Sequence, residues 1–429
     1  MRWFLLAIFA FGSITAKAEN IYIHNVTVLT MNGDSTMENA TVAINGDRIL
    51  YVGSAENVPQ FSHLDHNIDG TGKFLMPGLA EMHGHLPSTN WSRERQERIL
   101  FLYLAGGVTT VRGMLGDPVQ FELRKEITAG TMDGPTLYLA APSMNGNSVS
   151  SPADGRAKIQ RYAAQGWDLQ KIHPGLTRAE YDAIADEANK LNFPFGGHVP
   201  ADVGLERALE AGQISIDHMD GYLQMAGGDK HELTNDDFAK MIEMTKNSGS
   251  WVVPTHELFN VLIGGGDVAA LSARPENRYL TPDALAGYQR RAANANASAN
   301  PLAVKNRNRL LKALADAEVN LALGSDAPQL FSVPGFSIWR EIESMRDAGL
   351  TAAQILKSGT SAPGHYFADK DKFGTIAAGS RADLILLNGD PNENIEALFD
   401  QAGVMAAGKW YSRGDIDARL DKIASDVAR

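Results

Sequence analysis

Between residues 77 and 369, short apolar runs alternate with amphipathic stretches, and this alternation limits the fold more than any other feature of the chain. Strand candidates are Leu75 to Glu81, Val108 to Arg112, Thr136 to Ala140, Leu169 to Ile172, Phe195 to Val199, Ile214 to His218, Trp251 to Pro254 and Leu321 to Gly324. Helical stretches such as Arg178 to Leu191 and Gly204 to Ala211 lie between most of them. Eight alternating β/α units read as a (β/α)8 TIM barrel within the α/β class.

The flanks have a different texture. Residues 20 to 76 hold the β-rich runs Ile21 to Ile23, Thr27 to Thr30, Ala40 to Ile44 and Ile49 to Val52. Asn45-Gly46-Asp47 and Gly70-Thr71-Gly72 are turn signals between them. After the barrel, Leu384 to Leu387 is a further strand and Val404 to Tyr411 reads as a hairpin. Two β-rich ends around a long middle imply one small β-sandwich completed by both chain ends, residues 19–76 and 370–429, with the barrel at 77–369. A chain of 429 residues exceeds the usual size of a single core, which agrees with two domains.

The first 18 residues read as a cleavable signal peptide. Arg2 supplies the positive start, Trp3 to Phe11 the apolar core, and Ala16-Lys17-Ala18 the cleavage site. The apolar run is too short to span a bilayer as a helix. The expectation is a secreted or periplasmic protein with no stable membrane anchor after cleavage. The net charge of −12 and the lack of a Lys/Arg cluster argue against a nucleic-acid partner and leave a small-molecule substrate. Assembly into a homo-oligomer is compatible with this composition. With no cysteine in the chain, a metal site must be built from His, Asp, Glu or a modified Lys.

Barrels of this kind place their chemistry at the C-terminal ends of the strands. Strand one ends in His83-Gly84-His85, whose imidazoles at i and i+2 share one face. Strand four carries Lys171, strand five His198, strand six His218 and strand eight Asp326. Each has an ordinary structural explanation on its own. His198 can be a satisfied core imidazole, and His218 a partner of Asp217. Asp326 can be a helix N-cap, and Lys171 a surface lysine. Yet Lys171 lies in an apolar strand, and four of the 11 histidines fall at strand ends of one barrel. Six such groups together favour a metal site. Arg112 ends strand two, where it can bind a substrate carboxylate or pair with a neighbouring acid. His256 ends strand seven and is a second candidate for substrate contact.

This pattern resembles the amidohydrolase superfamily. The run Phe74-Leu75-Met76-Pro77-Gly78-Leu79 before His-x-His looks like that superfamily's, as does the return segment Gly374 to Leu384. Within it, Ala362-Pro363-Gly364 is similar to the imidazolonepropionase-like and prolidase-like, or Xaa-Pro dipeptidase-like, group. The resemblance implies two divalent metal ions, with zinc expected for imidazole ligands. His83, His85 and Asp326 would hold one and His198 and His218 the other. Lys171, carboxylated on its amine, would bridge them, and Asp326 would also move the proton. It implies that Tyr222, in Gly221-Tyr222, contacts the substrate, unless it is a packing tyrosine. The loop Ser143 to Asn147 departs from the prolidase-like pattern, which usually has a histidine there.

The implied activity is metal-dependent hydrolysis of an amide or peptide-like C–N bond, in an Xaa-Pro dipeptide or an N-acyl amino acid. The alternative is a mononuclear deaminase or an imidazolonepropionase-type cyclic amide hydrolase, against which Lys171 argues. A non-enzymatic metal-dependent scaffold is a further rival, opposed by the complete ligand set. Residues 260–300 are expected to form a lid or a solvated helical pair.

Overall fold

The structure is a computed structural model that describes residues 20–33 and 35–428. The expected signal peptide lies outside the described residues. Among them, no helix is long and apolar enough to cross a membrane.

Seven parallel strands form the barrel sheet in sequence order: Leu79–Gly84, Val108–Gly113, Thr136–Met144, Leu169–Ile172, Phe195–Gly197, Ser215–Asp217 and Trp251–Val253. Most of these strands are buried along their whole length, as expected where helices cover one face and barrel-filling side chains the other. The connecting helices carry ordinary stop and start chemistry. Thr177 and Glu180, for example, form a reciprocal capping box before Arg178–Lys190.

The eighth position departs from the expected strand. Leu321 makes a single bridge to Val252. Closure onto strand one runs through three backbone bonds: Met82 N–H to Leu323 O at 2.8 Å, Asp326 N–H to His83 O at 2.8 Å, and His85 N–H to Ala327 O at 2.7 Å. The physical reason is local. Glu81 is fully buried and accepts from the backbone N–H groups of both His83 and Ser325 (3.0 and 2.8 Å). A side-chain carboxyl group thus replaces ladder bonds where the chain turns left-handed at Asp326 (φ 61°). This stitching sets Asp326 beside the histidines of strand one.

The first barrel strand is also shifted from its expected range. Phe74–Pro77 belongs to the smaller sheet, pairing with Asn20–Leu29 and Leu384–Leu387. Gly78 is the hinge into the barrel: a Cβ there would fall 2.2 Å from Thr109 Oγ1. Among the described residues, the smaller sheet has eight strands drawn from both chain ends around its own core, including Ile21, Ile23, Val42, Ile44, Leu384 and Met405. Gln401–Ala406 and Lys409–Ser412 form the foreseen hairpin. The sequence reading missed the helix Arg413–Val427, which packs back on the barrel: the Arg419 guanidinium lies 3.9 Å from the Phe101 ring centroid.

The segment at 260–300 is not a solvated helical pair, since it carries an apolar core of its own. The helices His256–Gly264, Val268–Ser272 and Pro282–Asn296 enclose a separate apolar cluster of Leu258, Leu271 and Ala292 with Leu330 and Phe331. Glu341 fastens the first of these helices by accepting the N–H groups of His256 and Glu257 at 2.7 and 2.8 Å.

Candidate metal centre

His83 is 1% exposed at the end of strand one. Its Nδ1–H donates to Asp217 Oδ2 at 2.6 Å. That fixes the tautomer and leaves the Nε2 lone pair toward Lys171 Nζ, 3.1 Å away, and Asp326 Oδ1, 3.6 Å away. His218 repeats the arrangement. Its Nδ1–H donates to Thr255 Oγ1 at 2.7 Å, while that hydroxyl donates to Pro254 O at 2.8 Å. His218 Nε2 is then a buried lone pair with no hydrogen-bond partner. His198 donates from Nδ1 to Asp220 Oδ2 at 2.7 Å. Three imidazoles from three strands therefore engage an acceptor through one nitrogen and present the other. A metal-binding histidine needs this support. His85 instead meets Asp326 Oδ1 through Nε2 at 2.7 Å.

The rings pack closely: His83 to His218 is 4.5 Å and His198 to His218 is 4.3 Å between centroids. Candidate ligand atoms of His83, His218 and Asp326 lie within 4.8 Å of one another. His85, Lys171 and His198 border this triad. Room for Lys171 comes from Gly197, where a Cβ would fall 2.9 Å from Lys171 Cδ. Two backbones are held in an uncommon region, at His218 (φ 64°) and Asp326 (φ 61°). Such strain in non-glycine residues clusters where geometry serves function.

Protonation states suit a cation. Burial, and then the nearby Lys171 charge, push His83 down to about 3. Burial and the facing imidazoles of His198 and His83 hold His218 well below its usual value. Burial lowers Lys171 to about 8, opposed by Asp217 and Asp326. Burial alone would raise Asp326, but His83, His85 and Lys171 outweigh it and bring the carboxyl to about 2. At neutral pH the buried ligand imidazoles are neutral and Asp326 is charged. The orphaned Nε2 of His218 and this donor set fit a divalent metal.

Three expected substrate contacts are corrected. Arg112 is fully buried and binds an internal carboxylate, reaching both oxygens of Asp217 from Nη2 (3.1 and 3.0 Å). It also donates to Met82 O at 2.5 Å, Ser215 Oγ at 2.9 Å and Tyr366 OH at 3.1 Å, so no donor is left for a ligand carboxylate. Tyr222 is fully buried with its hydroxyl on Thr245 Oγ1 at 2.7 Å, the packing alternative. His256 is fully buried and bonds Asn308 Oδ1 at 2.7 Å. The left-handed turn at Thr255 (φ 42°) gives His218 the threonine hydroxyl in place of that imidazole. In the loop that departs from the prolidase-like pattern, Asn145 Oδ1 accepts from the N–H groups of Asn147 and Ser148, so it shapes its own turn.

The sequence reading missed His173, whose ring lies edge-on to His198 with centroids 4.6 Å apart. Burial, followed by His198, Lys171 and His85, brings it down to about 4. The signal was present, because Lys171-x-His173 has the same i, i+2 spacing as His83-x-His85. Asp217, Asp220 and Thr255, which orient the histidines, were also missed as a set.

Supported imidazoles, an ionised carboxylate and a lysine of lowered basicity at the C-terminal mouth of a parallel barrel define a metallohydrolase-like centre. The profile of the amidohydrolase family matches residues 74–411, and the chain belongs to that family. A 5-methylthioadenosine/S-adenosylhomocysteine deaminase of Pelotomaculum thermopropionicum is 42% identical over 71 residues, 16% of each chain. The imidazolonepropionase of Paenarthrobacter aurescens is 28% identical over 122 residues, 27% of this chain and 29% of that one. The chain thus matches less than a third of the length of these curated relatives. Among solved structures, an Xaa-Pro dipeptidase with bound methionine superposes with a TM-score of 0.69 at 22% identity, covering 92% of this chain and 100% of that one. A bottromycin amidohydrolase gives a TM-score of 0.75 at 22% identity, covering 95% and 90%.

Proposed function

We propose that the protein is a binuclear metal-dependent amidohydrolase that cleaves an amide or peptide-like C–N bond of a small substrate. The observation that carries this reading is the ring-on-ring packing of His83, His218 and His198, each with Nδ1 engaged, with Lys171 and Asp326 against His83. His83, His85 and Asp326 would hold one cation, and His198 and His218 the other. Lys171 would bridge them as a carbamate, which requires a neutral amine; its lowered basicity supports that modification. When bound, such ions lower the pKa of water and polarise a carbonyl. Asp326, charged and bonded to His85, takes a proton from attacking water and returns it to the leaving nitrogen. Asp217, Asp220 and Thr255 keep the imidazoles oriented throughout.

The substrate class offered is an Xaa-Pro dipeptide or an N-acyl amino acid, in line with the dipeptidase and amidohydrolase likenesses. Residues 1–18 support export as part of this proposal. A one-metal deaminase-type hydrolase is the second reading, favoured by the compactness of the His83–His218–Asp326 triad. Metal analysis of zinc-reconstituted protein with a screen of dipeptides and N-acyl amino acids tests both. Two equivalents per chain, with amide turnover, support the first reading. One equivalent, unchanged in Lys171→Ala, supports the second.

A further inference from the structure

His173 stands apart from every other imidazole at the mouth. His83 has Asp217, His198 has Asp220, His218 has Thr255 and His85 has Asp326 as a hydrogen-bond partner. No ring nitrogen of His173 has a hydrogen-bond partner among the described residues. Its backbone is nonetheless fixed. The His173 N–H donates to Met144 O at 2.9 Å, and the next turn is tied by Gly146 N–H to Pro174 O at 3.3 Å. Its ring is half-buried and rests edge-on against His198. It is close enough to Lys171, His85 and Asp326 for each to act on it electrostatically. A rigid backbone thus holds an unspent imidazole against the candidate ligands of both proposed cations. Ligand histidines need an orienting partner, and His173 lacks one. A group meant to meet a substrate needs a free donor.

We propose that His173 is a catalytic residue that donates a ring N–H hydrogen bond to the carbonyl oxygen of the bound amide. The inference rests on the amide-hydrolase reading above and adds a substrate contact to it. As the water oxygen bonds to the carbonyl carbon, the C=O π pair moves onto the carbonyl oxygen. When the C–N bond breaks, that pair re-forms the carbonyl, and the amine leaves with the proton carried by Asp326. His173 gains and loses no proton. It stabilises charge on the oxygen, and a donor so placed contributes most in the transition state.

The test compares His173→Phe and His173→Gln with wild type, all zinc-reconstituted, on the amide that wild type turns over fastest. Zinc content per chain and thermal midpoint are read beside kcat and KM. The Phe variant keeps an edge-on ring but no donor, so kcat falls about 100-fold, as for loss of one oxyanion donor, with KM little changed. The Gln variant, which restores an N–H, recovers at least about tenfold of that loss. Zinc content stays at the wild-type value in both. Full kcat in the Phe variant overturns the proposal while the amide-hydrolase reading stands. Loss of zinc in both variants overturns it too, since His173 would then be a ligand. A wild-type protein that binds no zinc and hydrolyses no amide in the panel defeats the reading itself, and this inference with it.

Discussion

His83 and Asp217, 134 residues apart in the chain, meet through a buried 2.6 Å bond between Nδ1 and Oδ2 at the C-terminal ends of two barrel strands. Asp217 is held in turn by Arg112, and all three side chains are buried. The aspartate therefore serves two neighbours, a candidate metal-ligating imidazole and a buried guanidinium, and these roles separate by mutation. Asp217→Asn should weaken metal affinity about 10–100-fold, the usual cost of losing an outer-shell carboxylate. It should also cost about 3–5 kcal/mol of stability, because Arg112 is left charged and uncompensated. Adding Arg112→Met should restore much of the thermal midpoint but not the metal affinity. Chelator competition and thermal melts read the two effects. Equal recovery of both would refute the division.

Asp326→Asn should leave the fold intact. Asparagine is tolerated in the left-handed region, so the φ of 61° is preserved. What disappears is a charged carboxylate able to carry a proton. The expected loss in kcat is about 10²–10⁴-fold, with the thermal midpoint nearly unchanged. Retention of wild-type turnover would remove Asp326 from proton transfer.

Much of this centre was legible because strand ends obey simple geometry. Histidines at i and i+2, and a lysine within an apolar strand, have few structural uses. The supporting groups were less legible because they depend on three-dimensional neighbours. Asp217 looked like a partner for adjacent His218, yet the strand ends at Asp217 and turns left-handed at His218 (φ 64°), and Asp217 bonds His83 and Arg112 instead. Arg112 looked like a carboxylate binder and is one, for a carboxylate of the same barrel. The eighth strand was misjudged because Glu81 replaces its ladder bonds, which no local propensity encodes. The helix Arg413–Val427 is hard to read because it follows the hairpin strand Lys409–Ser412 with no linker, its start marked by Ser412, whose hydroxyl accepts from Asp415 N–H.

Arg307 is a further determinant of ligand geometry. It is buried, and its two Nη groups donate to the carbonyls of His218 (2.7 Å) and Pro254 (3.3 Å). Those carbonyls flank the left-handed turns at His218 and Thr255. Burial lowers the guanidinium to about 10, so it remains charged at neutral pH. Arg307→Met should strand the His218 carbonyl, at about 1–3 kcal/mol for a buried acceptor left unpaired, while Pro254 O keeps the Thr255 hydroxyl. Retention of the wild-type melting temperature would show that these bonds are replaceable.

Acid stability depends on a carboxylate away from the candidate metal centre, where loss of a metal does not confound it. Asp133 precedes the third barrel strand and accepts from Lys409 Nζ (2.7 Å), Tyr411 OH (2.9 Å) and Arg419 Nη1 (2.5 Å). It thereby ties the barrel to the hairpin and final helix. Burial alone would raise this carboxyl, but its bonds to Lys409, Tyr411 and Arg419 outweigh burial and hold it below the usual value. The folded protein therefore binds this proton less tightly than the unfolded chain does. Its stabilisation is complete above the unfolded pKa, about 3.9. It is lost as pH falls through the lower folded value. Asp133→Asn should melt lower than wild type by a constant margin between pH 6 and 8, and the margin should close below about pH 4. Melting curves across that range, at fixed ionic strength, read the difference directly. A margin that widens on acidification would mean that the Asp133 carboxylate is not what joins the two domains.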